Sequence, residues 1–253
     1  MLPGRRSLCE DCMETLYIVM PAYNEEENIR AVLDAWYPML EGKSEDSRLV
    51  VADSGSRDRT HEILISLKET VCPKLEILSD TARYHGPKLI ALYDYAIKNH
   101  ADYIFQTDSD GQTDPDEFPA FWNHRRKYDG IFGMRAVRGD GKARAFVERV
   151  VCMLLRLYFG VRIPDANAPF RLMRAETVKK YLGRMPADYG LPNIMLTTFF
   201  VYYKEACRFK RITFKPRQAG LDSMNIPKIV RIGWKALGEF RDFKKKINLT
   251  RPL

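Results

Sequence analysis

Leu16-Tyr17-Ile18-Val19-Met20-Pro21-Ala22-Tyr23-Asn24-Glu25-Glu26-Glu27-Asn28-Ile29, with Val32, Leu33 and Trp36 following at helical spacing, is the stretch that decides the fold. A short unbroken apolar run stops at a proline and a polar loop. The period then changes to i, i+3, i+4, i+7, so the chain goes from a buried strand through a loop into an amphipathic helix. The unit recurs at Leu49-Val50-Val51-Ala52, which leads through a Ser/Gly turn to a helix around Ile63 to Leu67. It recurs again at Leu75 to Leu78 with a helix over Leu89 to Ile97, and a fourth strand, Tyr103-Ile104-Phe105, runs into an acidic loop. Strands alternating with helices at this rhythm predict right-handed crossovers and a mostly parallel sheet flanked by helices, with ligands at the carboxyl ends of the strands.

Beyond residue 130 the rhythm loosens. A strand at Ile131-Phe132, a long helix over Ala143 to Phe159 and a strand at Arg171-Leu172-Met173 are expected, with no linker or repeat that marks a second folded domain. The division expected is a tail over 1–15, an α/β domain over 16–225 and a basic amphipathic helix over 226–253. In that last segment Ile226, Ile229, Val230, Trp234, Leu237, Phe240, Phe243 and Ile247 recur at helical spacing among basic side chains that include Lys228, Arg231, Lys235, Arg241, Lys244 and Lys245, a pattern expected to lie in an anionic membrane interface, with packing on protein as the alternative.

With 253 residues, 45% of them hydrophobic, the chain can bury one large core. Its net charge of +8 makes an anionic partner plausible without choosing one, but no nucleic-acid motif accompanies the charge. Five cysteines without framework spacing read as free thiols of a reducing, cytoplasmic compartment, and Cys9-x-x-Cys12 has no second pair to complete a zinc site. Residues 1–12 lack the apolar core of a secretory signal, and the longest apolar stretch, Phe146 to Val161, is interrupted by Glu148, Arg149 and Arg156 and is too short to cross a bilayer.

Three loops at strand ends carry the chemistry. In Thr107-Asp108-Ser109-Asp110-Gly111-Gln112, two carboxylates one residue apart can turn towards a common hard cation; the plain alternative is a solvated acidic turn. In Pro21 to Ile29, Pro21 and Tyr23 can frame a planar base or ribose, while Asn24 also reads as the N-cap of the next helix. In Asp53-Ser54-Gly55-Ser56-Arg57-Asp58-Arg59-Thr60, Asp53 can accept from a base N–H, and Gly55 permits a tight turn beside a ligand.

Together, Pro-Ala-Tyr-Asn-Glu at 21–25, the Asp53 to Thr60 loop and Asp108-Ser109-Asp110-Gly111-Gln112 make the chain resemble the inverting family 2 glycosyltransferases of GT-A, Rossmann-like fold. Within them it resembles the dolichyl- and polyprenyl-phosphate sugar synthases, from Tyr17 to about Lys246. The resemblance implies Mg²⁺ or Mn²⁺ held by Asp108, Asp110 and Gln112. It implies nucleotide contacts at Pro21, Ala22, Tyr23, Glu25, Asp53, Lys88 and Ser109, with Asp110 also in the catalytic centre. Arg135 matches the arginine of a Gly-Ser-Arg segment that contacts phosphate, and Arg217 and Ser223 match an Arg-x-x-Gly-x-Ser loop at the sugar phosphate. Arg149 and Arg171 are further phosphate candidates. The sequence departs from the family at Ser54, where an Asp is usual, at Met224 for Lys and at Pro169 for Gly.

The resemblance further implies a nucleotide-sugar donor, either GDP- or UDP-linked, and an acceptor that attacks the anomeric carbon opposite the leaving diphosphate. Relatives acting on hydroxyls carry a late acidic pair, whereas residues 187–193 here contain only Asp188. That favours an acceptor already anionic, such as a polyprenyl phosphate on the cytoplasmic face of a membrane, reached as a peripheral protein, alone, as a homo-oligomer or with a membrane-anchored subunit. A transferase acting on a saccharide hydroxyl with Asp188 as base, and a catalytically silent binding subunit, are the alternatives. The absence of a Gln-x-x-Arg-Trp stretch speaks against a processive polysaccharide synthase.

Overall fold

The computed structural model describes residues 13–138, 142–216, 238–241 and 243–244. Its strands are β1 (Leu16–Ala22), β2 (Arg48–Asp53), β3 (Leu75–Leu78), β4 (Tyr103–Gln106), β5 (Gly130–Arg138), β6 (Arg171–Arg174) and β7 (Cys207–Phe214). The helices are α1 (Ile29–Trp36), α2 (Thr60–Thr70), α3 (His85–Lys98), the short α4 (Pro119–Trp122), α5 (Lys142–Phe159), α6 (Ala175–Leu182) and α7 (Pro192–Tyr202). One seven-stranded sheet runs β3-β2-β1-β4-β6-β5-β7. Every neighbouring pair is parallel except β4 with β6 and β5 with β6, so β6 alone is reversed and the expected mostly parallel α/β architecture is what forms.

β1 is buried along its whole length because helices cover both faces of the sheet around it, which is why it reads as an uninterrupted apolar run. Its residues still alternate between two cores. Tyr17 and Val19 join the cluster formed with α3, α5, α6 and α7. Leu16, Ile18 and Met20 join the one with α1, α2 and α4. Trp36 is the centrepiece of the second core, its ring 5.2 Å from Phe105 and 5.8 Å from Phe170. α7 is buried from Pro192 to Phe200 on all sides, so it carries no amphipathic period.

Of the stripe expected to face lipid at the C-terminus, Phe240 and Phe243 are described, and these two face protein. Phe240 and Phe243 are buried in the first core, with Phe240 6.0 Å from Phe159 and Phe243 5.2 Å from Tyr189 between ring centroids. For these two aromatics the alternative of packing on protein holds, since burial against other rings removes their apolar area from water. The remainder of 226–253, the tail with Cys9 and Cys12, Arg217 and Ser223 lie outside the described residues. Among the described residues Cys72, Cys152 and Cys207 are free thiols, and no helix is long and apolar enough to cross a membrane.

Candidate active site

The parallel pairing of β1 with β2 and β4 sets where the polar loops emerge. Ala22 at the end of β1 stands opposite Asp53 at the end of β2, and Thr107 just past β4 still donates from its N–H to Val19 O at 3.2 Å. The loops over 23–28, 53–60 and 107–112 therefore leave one sheet edge, where the first turn of α3 joins them from β3.

The first two loops are laced together. Asn24 N donates to Ser56 Oγ at 3.0 Å, Asn24 Oδ1 accepts from Arg57 N at 2.8 Å, Glu25 N donates to Thr60 Oγ1 at 2.8 Å and Glu26 N to Asp58 Oδ2 at 3.1 Å. This corrects the capping role expected of Asn24. It adopts a left-handed φ of 55° and serves the neighbouring loop, while α1 starts at Ile29 with Asn28 before it. Glu25 is buried and accepts from Asn28 Nδ2 at 2.8 Å. At Asp58, burial alone would push the carboxyl up, but the Thr60 hydroxyl and the backbone N–H groups of Glu26 and Thr60 outweigh it and hold the carboxyl below its ordinary value.

The acidic loop is clamped from both sides. Ser109 Oγ donates to Pro21 O at 2.9 Å, which ties the loop to β1, and Gly111 turns the chain with a φ of +72°. On the far side Gln112 Nε2 donates to Lys215 O and Lys215 N donates to Gln112 O, both at 2.8 Å, while Lys215 Nζ pairs with Asp114 at 3.0 Å. The Lys215 hydrogen bond holds the Asp114 carboxyl below its ordinary value. Asp110 Oδ1 accepts from Gln112 N at 3.1 Å. Asp108 is different: its Oδ1 is buried without a hydrogen-bond partner, and His85 Nε2 stands 3.6 Å away. A buried anionic oxygen without a donor is costly unless a cation completes it, so this side chain, next to Asp110 and the amide of Gln112, fits a hard divalent ion. Among the described residues no group of three or more His, Cys, Asp or Glu side chains forms a metal cage.

Beside this lies a flat cationic wall. Arg83 donates to the Tyr23 hydroxyl at 2.7 Å and lies 5.5 Å over its ring, and the Arg83 bond lowers the Tyr23 pKa. Gly55 turns the neighbouring loop with a φ of +78°, a left-handed backbone that favours glycine, and Arg83 lies against it. Beneath them Lys88 is almost fully buried and donates to Ala22 O. Burial pulls its amine pKa down while Asp53 pulls it back up. Asp53 is itself buried, one oxygen accepting from Ser56 Oγ and the other 3.1 Å from His61 Nδ1. Sequence reasoning missed Arg83, His85 and His61. Arg83 and His85 had a legible signal, since both follow β3, which runs parallel to β2, and so belong to the same edge.

The arginines diverge. Arg135 grips Asp165 through Nε and an η nitrogen, each at 2.8 Å, with Glu148 at 3.6 Å, and its side chain is buried. The phosphate contact expected of Arg171 is not what the geometry offers. Arg171 lies inside the protein, and its donors go to the carbonyls of Ala166, Ala168 and Asn193 and to the Thr197 hydroxyl. Those five hydrogen bonds use every N–H a guanidinium has. Arg149 and Asp188 are exposed.

Residues 17–182 match the family model described as Glycosyl transferase family 2. The chain is 24% identical over 193 residues to the undecaprenyl-phosphate 4-deoxy-4-formamido-L-arabinose transferase of Pectobacterium atrosepticum, covering 75% of this chain and 57% of that one. Its counterpart from Photorhabdus laumondii is 25% identical over 183 residues, covering 72% and 55%. The chain thus spans little more than half the length of these relatives. Among solved structures, the glucosyl-3-phosphoglycerate synthase of Mycobacterium tuberculosis in complex with UDP superposes with a TM-score of 0.66 at 18% identity, covering 96% of this chain and 86% of that one. Its complex with Mn²⁺, UDP and glucosyl-3-phosphoglycerate gives 0.65 at 18%, covering 95% and 81%. At that identity the likeness establishes the fold.

Proposed function

Because the chain belongs to glycosyltransferase family 2, we propose that it transfers a sugar, with inversion, from a nucleoside-diphosphate sugar to a polyprenyl phosphate at a membrane surface, with the help of Mg²⁺ or Mn²⁺. The observation that carries this is the convergence of Asp53, Asp108 and Asp110 on one sheet edge, with a buried Asp108 oxygen left without a hydrogen-bond donor. Asp108, Asp110 and the amide of Gln112 would hold the metal, which when bound neutralises charge on the departing diphosphate.

The chain's own side chains do the rest. Tyr23 and Arg83 offer a flat face for the base, Asp53 lies at its polar edge, and Lys88 sets a buried positive charge under the β1 and β2 ends. Ser109 and Lys215 hold the acidic loop at a fixed height, so the carboxylates need little reorganisation when the donor arrives. Arg135, locked to Asp165, together with Arg217 and Ser223, is assigned to the acceptor side. A phosphate oxygen attacks without prior loss of a proton, so an acceptor of this kind needs no general base. The relatives named for undecaprenyl phosphate support that acceptor.

Calorimetric titration with UDP and GDP, each with and without Mn²⁺, tests the donor half. One nucleotide should bind in a Mn²⁺-dependent way and Asp110→Ala should abolish it; metal-independent binding of equal strength would defeat the reading. Transfer to a short-chain polyprenyl phosphate that survives Asp188→Asn supports the acceptor half, and transfer to a saccharide hydroxyl that Asp188→Asn abolishes would replace it.

A further inference from the structure

We propose that the outer face of α5 is the surface on which this protein lies against an anionic lipid bilayer. Phe146, Met153 and Leu157 are 66%, 54% and 69% exposed, and a helical repeat places them on one side of α5, in a stripe about 16 Å long. Other exposed large apolar side chains among the described residues, such as Ile65 and Tyr84, are scattered over separate elements. Arg149 and Arg156 are exposed along one flank of the stripe, and Arg162 is exposed just beyond the helix.

Charge chooses the occupant. Glu148 is the only acidic residue between 142 and 162, and it turns inward, accepting from Ala166 N at 2.8 Å. An apolar stripe flanked by arginines and free of carboxylates suits anionic head groups, whereas a second copy pairing face to face would bring like charges together. The opposite side of the helix is already closed, since Leu155 and Phe159 are buried and Phe240 packs 6.0 Å from Phe159. Phe240 and Phe243 are thus engaged with protein, and among the described residues the exposed apolar stripe is that of α5.

This surface deepens the proposed acceptor reading and rests on it for the choice of a lipid. Glu148 lies 3.6 Å from Arg135, so a bilayer touching the outer face of α5 would stand one helix away from the Arg135–Asp165 pair. A lipid phosphate would then reach the site along the membrane plane.

Flotation of the full chain with phosphatidylcholine vesicles, with and without phosphatidylglycerol, tests it. The wild type should float with the anionic vesicles, and Phe146→Ser/Met153→Ser/Leu157→Ser should lose about tenfold or more of that binding. Arg156→Glu should weaken binding to the anionic vesicles alone. An unchanged melting temperature and unchanged nucleotide binding in the triple variant show that it is folded. Wild-type protein that stays in solution, or a triple variant that floats as well as wild type, overturns the proposal. So does a wild-type dimer, seen by sedimentation velocity, that the triple variant converts to monomer without any flotation. Intact flotation with no transfer to polyprenyl phosphate would instead defeat the acceptor reading and leave the docking face standing.

Discussion

Replacing Gly86 with alanine sets two ordinary effects against each other at the first turn of α3. Alanine is the better helix residue and restricts the unfolded chain, a gain of about 0.5–1 kcal/mol. Against it, a Cβ at Gly86 would lie 2.5 Å from the carbonyl oxygens of both Tyr189 and Gly190. Close carbon–oxygen contacts settle near 3.3 Å, so backbone must move by about 0.8 Å. The 189–190 loop does not yield freely, because Tyr189 is buried with its ring 5.2 Å from that of Phe243. Such overpacking costs about 1–3 kcal/mol, which leaves Gly86→Ala less stable than wild type by about 1 kcal/mol at the middle of the range and by up to about 2.5 kcal/mol if the loop does not yield. Gly183 supplies the control: its φ is −65°, nothing lies within 4 Å of its Cβ position, and Gly183→Ala should stabilise by about 0.4–1 kcal/mol. Urea unfolding of the two variants at equal slope reads the difference. Since α3 also carries His85 and Lys88 into the site, Gly86→Ala should weaken nucleotide binding as well. A Gly86→Ala protein as stable as wild type, binding nucleotide equally well, would refute the close approach and the rigidity ascribed to it.

Trp36→Ala, which empties the centre of the second core, should cost about 3–5 kcal/mol in urea unfolding, and a loss under about 1 kcal/mol would mean the aromatic cluster is loosely packed. Asp165→Ala strands the buried Arg135 guanidinium and should cost about 3–5 kcal/mol; melting within error of wild type would show that Glu148 takes over the charge. The Asp58 carboxyl is held below its ordinary value in the folded state, so the stability it contributes is complete above the unfolded pKa near 4 and disappears as pH falls through the lower folded value. Asp58→Asn should therefore flatten the acid limb of a stability–pH curve, and an unaltered limb would assign acid sensitivity to other carboxylates.

How much was legible depended on burial and period. β1, β2 and β4, buried between helices, announce themselves as apolar runs, and α1 shows a clean 3.6 period because only one of its faces is covered. α7 escaped detection because burial on all sides leaves no period to see. β7 escaped because its alternation breaks at Lys210-Arg211, close to where the pairing of β5 with β7 shifts register. The acidic loop stood out as a motif, but its clamp did not, since Gln112 and Lys215 are over a hundred residues apart.

The local chemistry was therefore set by the chain alone: that β1 to β4 are strands, that their polar loops share one edge, and that two carboxylates sit one residue apart after β4. Tertiary structure decided what composition cannot encode, namely which charges are already paired. It turned Arg171 inward onto carbonyls, locked Arg135 to Asp165, left Asp108 Oδ1 without a donor, and buried Phe240 and Phe243 while leaving the apolar stripe of α5 uncovered. The physical reason is that pairing and burial are properties of neighbours far apart along the chain. A residue's own type states what it can bond to, and only the packed structure states what it meets.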